Sequence, residues 1–185
     1  MAVSEAQLAT WARQGSVTQS ALTYQTVKAA LEDANAPFHN RSFDVFLQGS
    51  YGNDTNIYAD SDVDIAIRLS STVYSDTSGL ETAELQKHND AFSRAEYQLS
   101  DFKTDVLAWF KYKFGNSVDP GKKGMRIPAN GTRRDADVLV CAQHLQYGKT
   151  RQYFNDGIIF WTTDGVEIVN YPKQHLQNCT TKHQA

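Results

Sequence analysis

Apolar positions along the chain change period several times, and each change marks the edge of an element. Thr18 can cap a run in which Leu22, Val27, Ala30 and Leu31 share roughly one face, so helix is predicted over the first ~35 residues. Ala36-Pro37 ends it, because a residue before proline is steered away from helical dihedrals. Phe43 to Leu47 is a short β-prone run closed by Gly49-Ser50, and Tyr51 to Asp60 has the Gly, Asn, Asp and Thr content of a loop. Val63 to Leu69 sets Val, Ile, Ile and Leu against Asp, Ala and Arg, the alternation of a half-buried strand; Ser70 to Gly79 reads as a polar loop. Helical spacing returns from Thr82 to Phe114, with Val106, Leu107, Phe110 and Phe114 on one side and Gly115 as the stop. After a loop to Gly124, Met125 to Pro128 and Asp137 to Cys141 read as strands. Ile158 to Thr162 and Val166 to Val169 read as a hairpin turning at Thr163-Asp164-Gly165. This order predicts an α+β or mixed α/β domain.

Composition changes the picture little. Apolar residues make up 41% of 185 and charged residues 21%, the balance of an ordinary globular chain with a real core. A formal net charge of −3 excludes a surface that is basic as a whole. Local basic patches at Lys122-Lys123-Gly124-Met125-Arg126 and Arg133-Arg134 read first as solvated loops; the one near Lys122 could otherwise screen a triphosphate or an activating ligand. Cys141 and Cys179 form no metal or redox pattern; Cys141 lies in an apolar run and reads as a buried free thiol. No apolar stretch approaches the ~20 residues of a membrane span. The N-terminus lacks the basic and apolar regions of a signal peptide, so a cytoplasmic setting is expected.

Three features carry chemistry together. Gly49-Ser50 at a strand end lets a phosphate approach the backbone and adds a hydroxyl donor. Asp62-Val63-Asp64 opens the next strand, and residues two apart on a strand point the same way. Two carboxylates so held repel unless a cation sits between them, and oxygen-only ligands favour Mg²⁺ or Mn²⁺. Asp137 begins a third strand of the same kind; if it lies beside Val63 to Leu69, its carboxylate joins the other two. Asp135 is the rival for that place, nearer the loop. Phe160 and Trp161 read as core, and His144 as a histidine following a buried strand.

The strings Gln48-Gly49-Ser50-Tyr51-Gly52-Asn53-Asp54-Thr55-Asn56-Ile57 and Asp60-Ser61-Asp62-Val63-Asp64-Ile65 resemble the signature of polymerase-β-like nucleotidyltransferases. More narrowly, they resemble the bacterial cGAS/DncV-like nucleotidyltransferases (CD-NTases) of antiphage signalling. Arg126-Ile127-Pro128, Arg133 to Val138, Phe160-Trp161-Thr162 and Asn170-Tyr171-Pro172-Lys173 extend the likeness to most of the chain.

The resemblance implies a polymerase-β-like core, a mixed or antiparallel sheet flanked by helices, over residues 41–185, with an N-terminal helical segment 1–40 packed on it. It implies that Asp62, Asp64 and Asp137 bind two Mg²⁺ ions, with Mn²⁺ as an alternative. Gly49 and Ser50 would hold the donor triphosphate, Thr55 would support the loop, and Gln48 would neighbour base or phosphate. The implied reaction joins nucleoside triphosphates into a cyclic or linear oligonucleotide messenger with release of pyrophosphate, without a nucleic-acid requirement. A regulatory or conjugating protein and a messenger-gated effector are the implied partners. Family members carry a further helical domain after this core, expected to be absent or cut short in these 185 residues. His144-Leu145-Gln146-Tyr147 stands where a more basic stretch would be expected. Two other functions fit the residues: a small transferase modifying a protein, an RNA end or a small molecule, and a non-catalytic nucleotide-binding module.

Overall fold

The computed structural model describes residues 19–48 and 62–172. Helix α1 occupies described residues 19–31, followed by β1 Phe43–Leu47 and β2 Val63–Asp76. Two helices come next, α2 Thr82–Ala91 and α3 Leu99–Phe114. The strands β3 Met125–Ile127, β4 Ala136–Tyr147, β5 Phe154–Trp161 and β6 Glu167–Asn170 complete the described fold.

The six strands form one mixed sheet in the order β1-β2-β4-β5-β6, with β3 pairing the first part of β4. Among the described strands only β2 and β4 run parallel; the other neighbours are antiparallel. A parallel pair cannot be joined by a tight turn, and α2, α3 and β3 fill the crossover. The α+β class with a mixed sheet flanked by helices is therefore what the chain adopts.

β2 and β4 are buried on both faces, as a central parallel pair requires. On one face Val63, Ile65, Ile67 and Leu69 meet Val138, Val140 and Ala142, and the same core takes in Val27 and Leu31 of α1. From α3, Phe102, Val106, Trp109 and Phe110 enter it at helical spacing. Phe38 and Phe102 meet edge to face with centroids 5.3 Å apart. The other face buries a smaller cluster of Ala66, Cys141, Ile158 and Phe160. Cys141 is a buried free thiol, and burial pushes its pKa up.

Contacts between distant segments fix α1 against α3. Trp109 Nε1 donates to the Ala30 carbonyl at 2.7 Å, satisfying an acceptor in the last turn of α1. Lys113 Nζ sits 2.7 Å from Asp33 and, with Asn35, holds that carboxyl at about 2. At the end of α3, Gly115 takes φ 91°, a conformation that suits glycine and stops the helix where the sequence puts the stop.

The structure departs from the sequence pattern in four places. Ser70 to Gly79 is not all loop: β2 continues to Asp76 past a register shift between Leu69 and Val73. Its polar residues find partners, Thr72 Oγ1 donating to the Tyr97 carbonyl at 2.7 Å, so polarity there does not mean solvent. The helical stretch from Thr82 to Phe114 is two helices, because Phe92 leaves α2 with extended dihedrals and Gln98 restarts the helix with Asp101 accepting from its N–H. His144 lies inside β4, buried and edge-on to Tyr171, because the alternation runs on to Tyr147. Arg133 is buried rather than in a solvated loop, its guanidinium 4.7 Å from the Phe114 ring. Among the described residues no helix is long and apolar enough to cross a membrane.

Phe102 is 0% exposed where α3, β1 and Phe38 converge. Phe102→Ala is expected to lower unfolding free energy by about 3–5 kcal/mol, measured by urea denaturation. A loss below about 1 kcal/mol would mean that this contact is not central to the core.

Candidate functional site

The order of the sheet decides where the acidic residues go. Side chains at Asp64, Ala66 and Arg68 lie on the opposite side of β2 from Val63, Ile65, Ile67 and Leu69. The same alternation on β4 separates Asp137, Leu139 and Cys141 from Val138, Val140 and Ala142. Parallel pairing then sets Asp64 directly opposite Asp137. Val63 N donates to the Asp135 carbonyl at 3.0 Å, which carries the ladder to the very start of both strands.

Both carboxyls of this pair are half-buried. Burial raises the Asp64 pKa, and the charges of Asp137 and Asp62 raise it further. Asp137 is raised by burial and then by Asp62, with Arg126 working against them. Burial first, and acidic neighbours second, thus hold both carboxyls above the usual carboxylate range. Asp62 is exposed, immediately before β2, close enough for its charge to act on both. Among the described residues no three His, Cys, Asp or Glu side chains already close into a metal-coordinating group. What the strands align is an all-oxygen pair carrying excess negative charge, with a third carboxylate at its mouth. Such a donor set fits a hard divalent cation.

The rival carboxylate is otherwise engaged. Asp135 Oδ1 accepts from Arg126 Nη2 at 2.9 Å and from Ala129 N at 3.2 Å, closing the β3–β4 connection. Gln48, the last described residue of its segment, is half-buried, and its N–H donates to the Asp64 carbonyl at 2.9 Å. Gly49, Ser50 and Thr55 lie outside the described residues.

Two arginines shape the surroundings: Arg68, given no role by the sequence reading beyond a polar position of its strand, and Arg133, read there as solvated loop. Arg68 Nε and Nη2 grip both oxygens of Asp44 at 3.0 and 3.1 Å, while Nη1 donates to Asp156 at 2.9 Å. This fork ties β1 and β5 to β2 on the acidic face. A signal for it existed: a charged residue between Ile67 and Leu69 in a run otherwise apolar enough to be central. Arg133 is the second, folded back so that Nη2 donates to the Pro128 carbonyl at 2.6 Å. The basic patch is largely neutralised, Lys122 pairing with Asp164 at 2.9 Å and Arg126 with Asp135. Beside Asp62 the connection leaves a polar cleft of about 260 Å³, with Gln19, Asn130, Arg133, Arg134 and Asp135 in its wall.

No protein-family model matches the chain. It is similar to the cyclic UMP-AMP synthase of Rhodothermus marinus, with 36% identity over 189 aligned residues, covering 100% of this chain and 62% of that protein. It is 35% identical to the cyclic nucleotide synthase CdnE01 of Staphylococcus haemolyticus, over 95% of this chain and 60% of that one. The solved Rhodothermus marinus CdnE c-UMP-AMP synthase with Apcpp and Upnpp superposes with TM-score 0.78 at 35% identity, over 99% of this chain and 61% of that chain. The Elizabethkingia meningoseptica CdnE cyclic dinucleotide synthase with GTP and Apcpp gives TM-score 0.67 at 30% identity, over 90% and 53%. The chain thus spans about three-fifths of the length of the curated relatives it matches. Agreement in sequence and in fold over nearly the whole chain makes it a member of the CdnE-type CD-NTases, the bacterial cGAS/DncV-like nucleotidyltransferases.

Proposed function

We propose that the protein joins nucleoside triphosphates into a cyclic oligonucleotide messenger, releasing pyrophosphate, with antiphage signalling as its setting. The observation that carries this reading is the cross-strand pair Asp64–Asp137 with Asp62 at its edge. The relatives' names support it: synthases of cyclic UMP-AMP, of cyclic dipurine and of cyclic dipyrimidine nucleotides. Residues 41–185 are the catalytic core in this reading and residues 1–40 a helical segment packed on it.

Each group has a part. Asp62, Asp64 and Asp137 hold Mg²⁺, or Mn²⁺ in its place, and the rigid parallel pairing keeps Asp64 and Asp137 from separating. When bound, the metal would make an attacking hydroxyl more acidic and would offset charge on the departing pyrophosphate. Gly49 and Ser50 hold the donor triphosphate, Thr55 supports their loop, and Gln48 joins that loop to β2 through the Asp64 carbonyl. One nucleotide's hydroxyl oxygen bonds to the other's α-phosphorus while its proton passes to water, the bond to the pyrophosphate oxygen breaks, and a second round closes the ring. Positioning and charge supply the catalysis, as phosphoryl transfer generally requires. A regulatory or conjugating protein and a messenger-gated effector complete the pathway.

Chromatography of labelled products from four ribonucleoside triphosphates with Mg²⁺ or Mn²⁺ tests the reading. A phosphatase-resistant product is expected, and label moved only to an added protein, RNA or drug would replace the reading with the small-transferase one. Asp62→Asn, Asp64→Asn and Asp137→Asn are each expected to lower turnover at least about a hundredfold; full activity in any of them would remove that residue from the metal site. A second readout separates chemistry from folding. A carboxyl whose folded pKa lies above its unfolded value costs stability while ionised, and the cost fades as pH falls through the folded pKa. Asp64→Asn is therefore expected to melt at a higher temperature than wild type in chelator at neutral pH, with the gap shrinking in acid. A lower melting temperature would show that the charge is compensated within the fold.

A further inference from the structure

The far end of the sheet has a cleft of its own. Gln146 lies nine residues along β4 from Asp137, which puts it roughly 30 Å from the acidic pair. There the turn at residues 77–80, which follows β2, packs on the end of β4, and a cleft of about 570 Å³ opens against the turn joining β4 to β5. Glycines keep it open: a Cβ at Gly79 would strike the Tyr147 carbonyl oxygen, and Gly148 adds no side chain to the wall.

Two of the rings around this cleft face water. Tyr153 is 73% exposed and Phe154 50% exposed, the latter edge-on to the buried Tyr147 with centroids 6.0 Å apart. The polar wall is already knitted together. Asn155 Nδ2 donates to Gln146 Oε1 at 3.1 Å, and Asp76 accepts from Gln146 Nε2 at 3.3 Å and from Ser78 N at 3.0 Å. Among the described residues no carboxylate lines the wall, and the turn from Gly148 to Tyr153 carries Lys149 and Arg151 with no acid between them. Arg151 is held back, its Nη1 donating to the Lys87 carbonyl at 3.2 Å and its N–H to Glu84 at 3.3 Å. Lys149 is exposed and makes no ion pair among the described residues, while its carbonyl is fixed by the Glu81 N–H at 3.1 Å.

We propose that this cleft is a second site for a free nucleotide, separate from the acidic edge, in which Tyr153 stacks on the base and Lys149 takes a phosphate. An exposed aromatic ring at the mouth of a cleft offers its face to a base of any identity. With no carboxylate in the wall, nothing there repels a phosphate, and Lys149 is an uncommitted cation four residues before Tyr153. The volume also falls among those of small-molecule sites, about 300–1,000 Å³. A protein segment would use the rings but has no need of the cation, which is why the nucleotide is the better fit. The site goes beyond the transferase reading and stands or falls apart from it.

Amide-resolved NMR of the full-length protein in chelator, titrated with AMP and with adenosine, reads this cleft and the acidic edge separately. AMP is expected to shift the Gly79 and Gly148 amides in a saturable way. Tyr153→Ala, a change at an exposed ring, should weaken AMP and adenosine alike by about fivefold or more. Lys149→Gln should weaken AMP by about threefold and leave adenosine unchanged. Shifts confined to the acidic edge, or a response at Gly79 and Gly148 that both variants leave intact, would overturn the site. Equal binding of AMP and adenosine, indifferent to Lys149→Gln, would make the cleft an apolar docking surface for a protein instead. A short single-stranded oligonucleotide serves as the last arm, and affinity climbing steeply with its length would overturn the free nucleotide as the ligand. None of these results bears on whether the acidic edge joins nucleotides.

Discussion

Placing Asp64 opposite Asp137 on adjacent parallel strands is electrostatically unfavourable, since like charges directly across a sheet repel. The fold imposes it through hydrophobic burial. Val63, Ile65, Ile67 and Leu69 are 0–1% exposed, as are Val138, Val140 and Ala142. A slip of one residue in either strand would turn that whole set out of the core. Register is therefore fixed by the apolar face, and the carboxylates on the opposite face follow. The core holds in place an arrangement that its charges alone would push apart, and a cation is the simplest means of relieving it.

The rest of the molecule serves that pairing. Parallel strands need a crossover, and the crossover brings α3 onto the core face, where Phe102, Val106 and Phe110 seal it. Trp109 then locks α3 to α1 through the Ala30 carbonyl, and Thr23 of α1 takes the Arg134 N–H at the doorway of the acidic site. Arg68 braces the opposite face by gripping Asp44 and Asp156 on strands either side of the central pair. The acidic edge is thus held from both faces of the sheet by elements far apart in sequence.

Much of this was legible in the residues and some was not. β1 and β3 fall where the sequence puts them, and Gly165 with φ 81° turns the hairpin at Thr163-Asp164-Gly165. The alternation around Asp62-Val63-Asp64 and Asp137 gave both strands and the face that Asp64 and Asp137 share, because period-two patterning survives in a half-buried strand. Three things escaped. The tail of β2 is polar and bulged, so its strand character comes from pairing with Gln143 to Gln146 and not from its own composition. The break between α2 and α3 depends on local dihedrals at Phe92 and capping at Gln98, neither of which disturbs the apolar spacing. Arg133 looked like surface because its partners, the Pro128 carbonyl and the Phe114 ring, are supplied by the fold. The donor-side residues Gly49, Ser50 and Thr55 rest on resemblance to the family's motif.

Counting the metal ions held by the acidic pair would probe the central claim most directly. Mn²⁺ titrated into the full-length protein with a non-hydrolysable nucleoside triphosphate can be followed by the loss of the free-ion electron paramagnetic resonance signal. Tight binding in the wild type, with sites lost in both Asp64→Asn and Asp137→Asn, is the expected result. Wild-type stoichiometry and affinity retained in both variants would contradict the claim that the β2–β4 register exists at this edge to hold a cation.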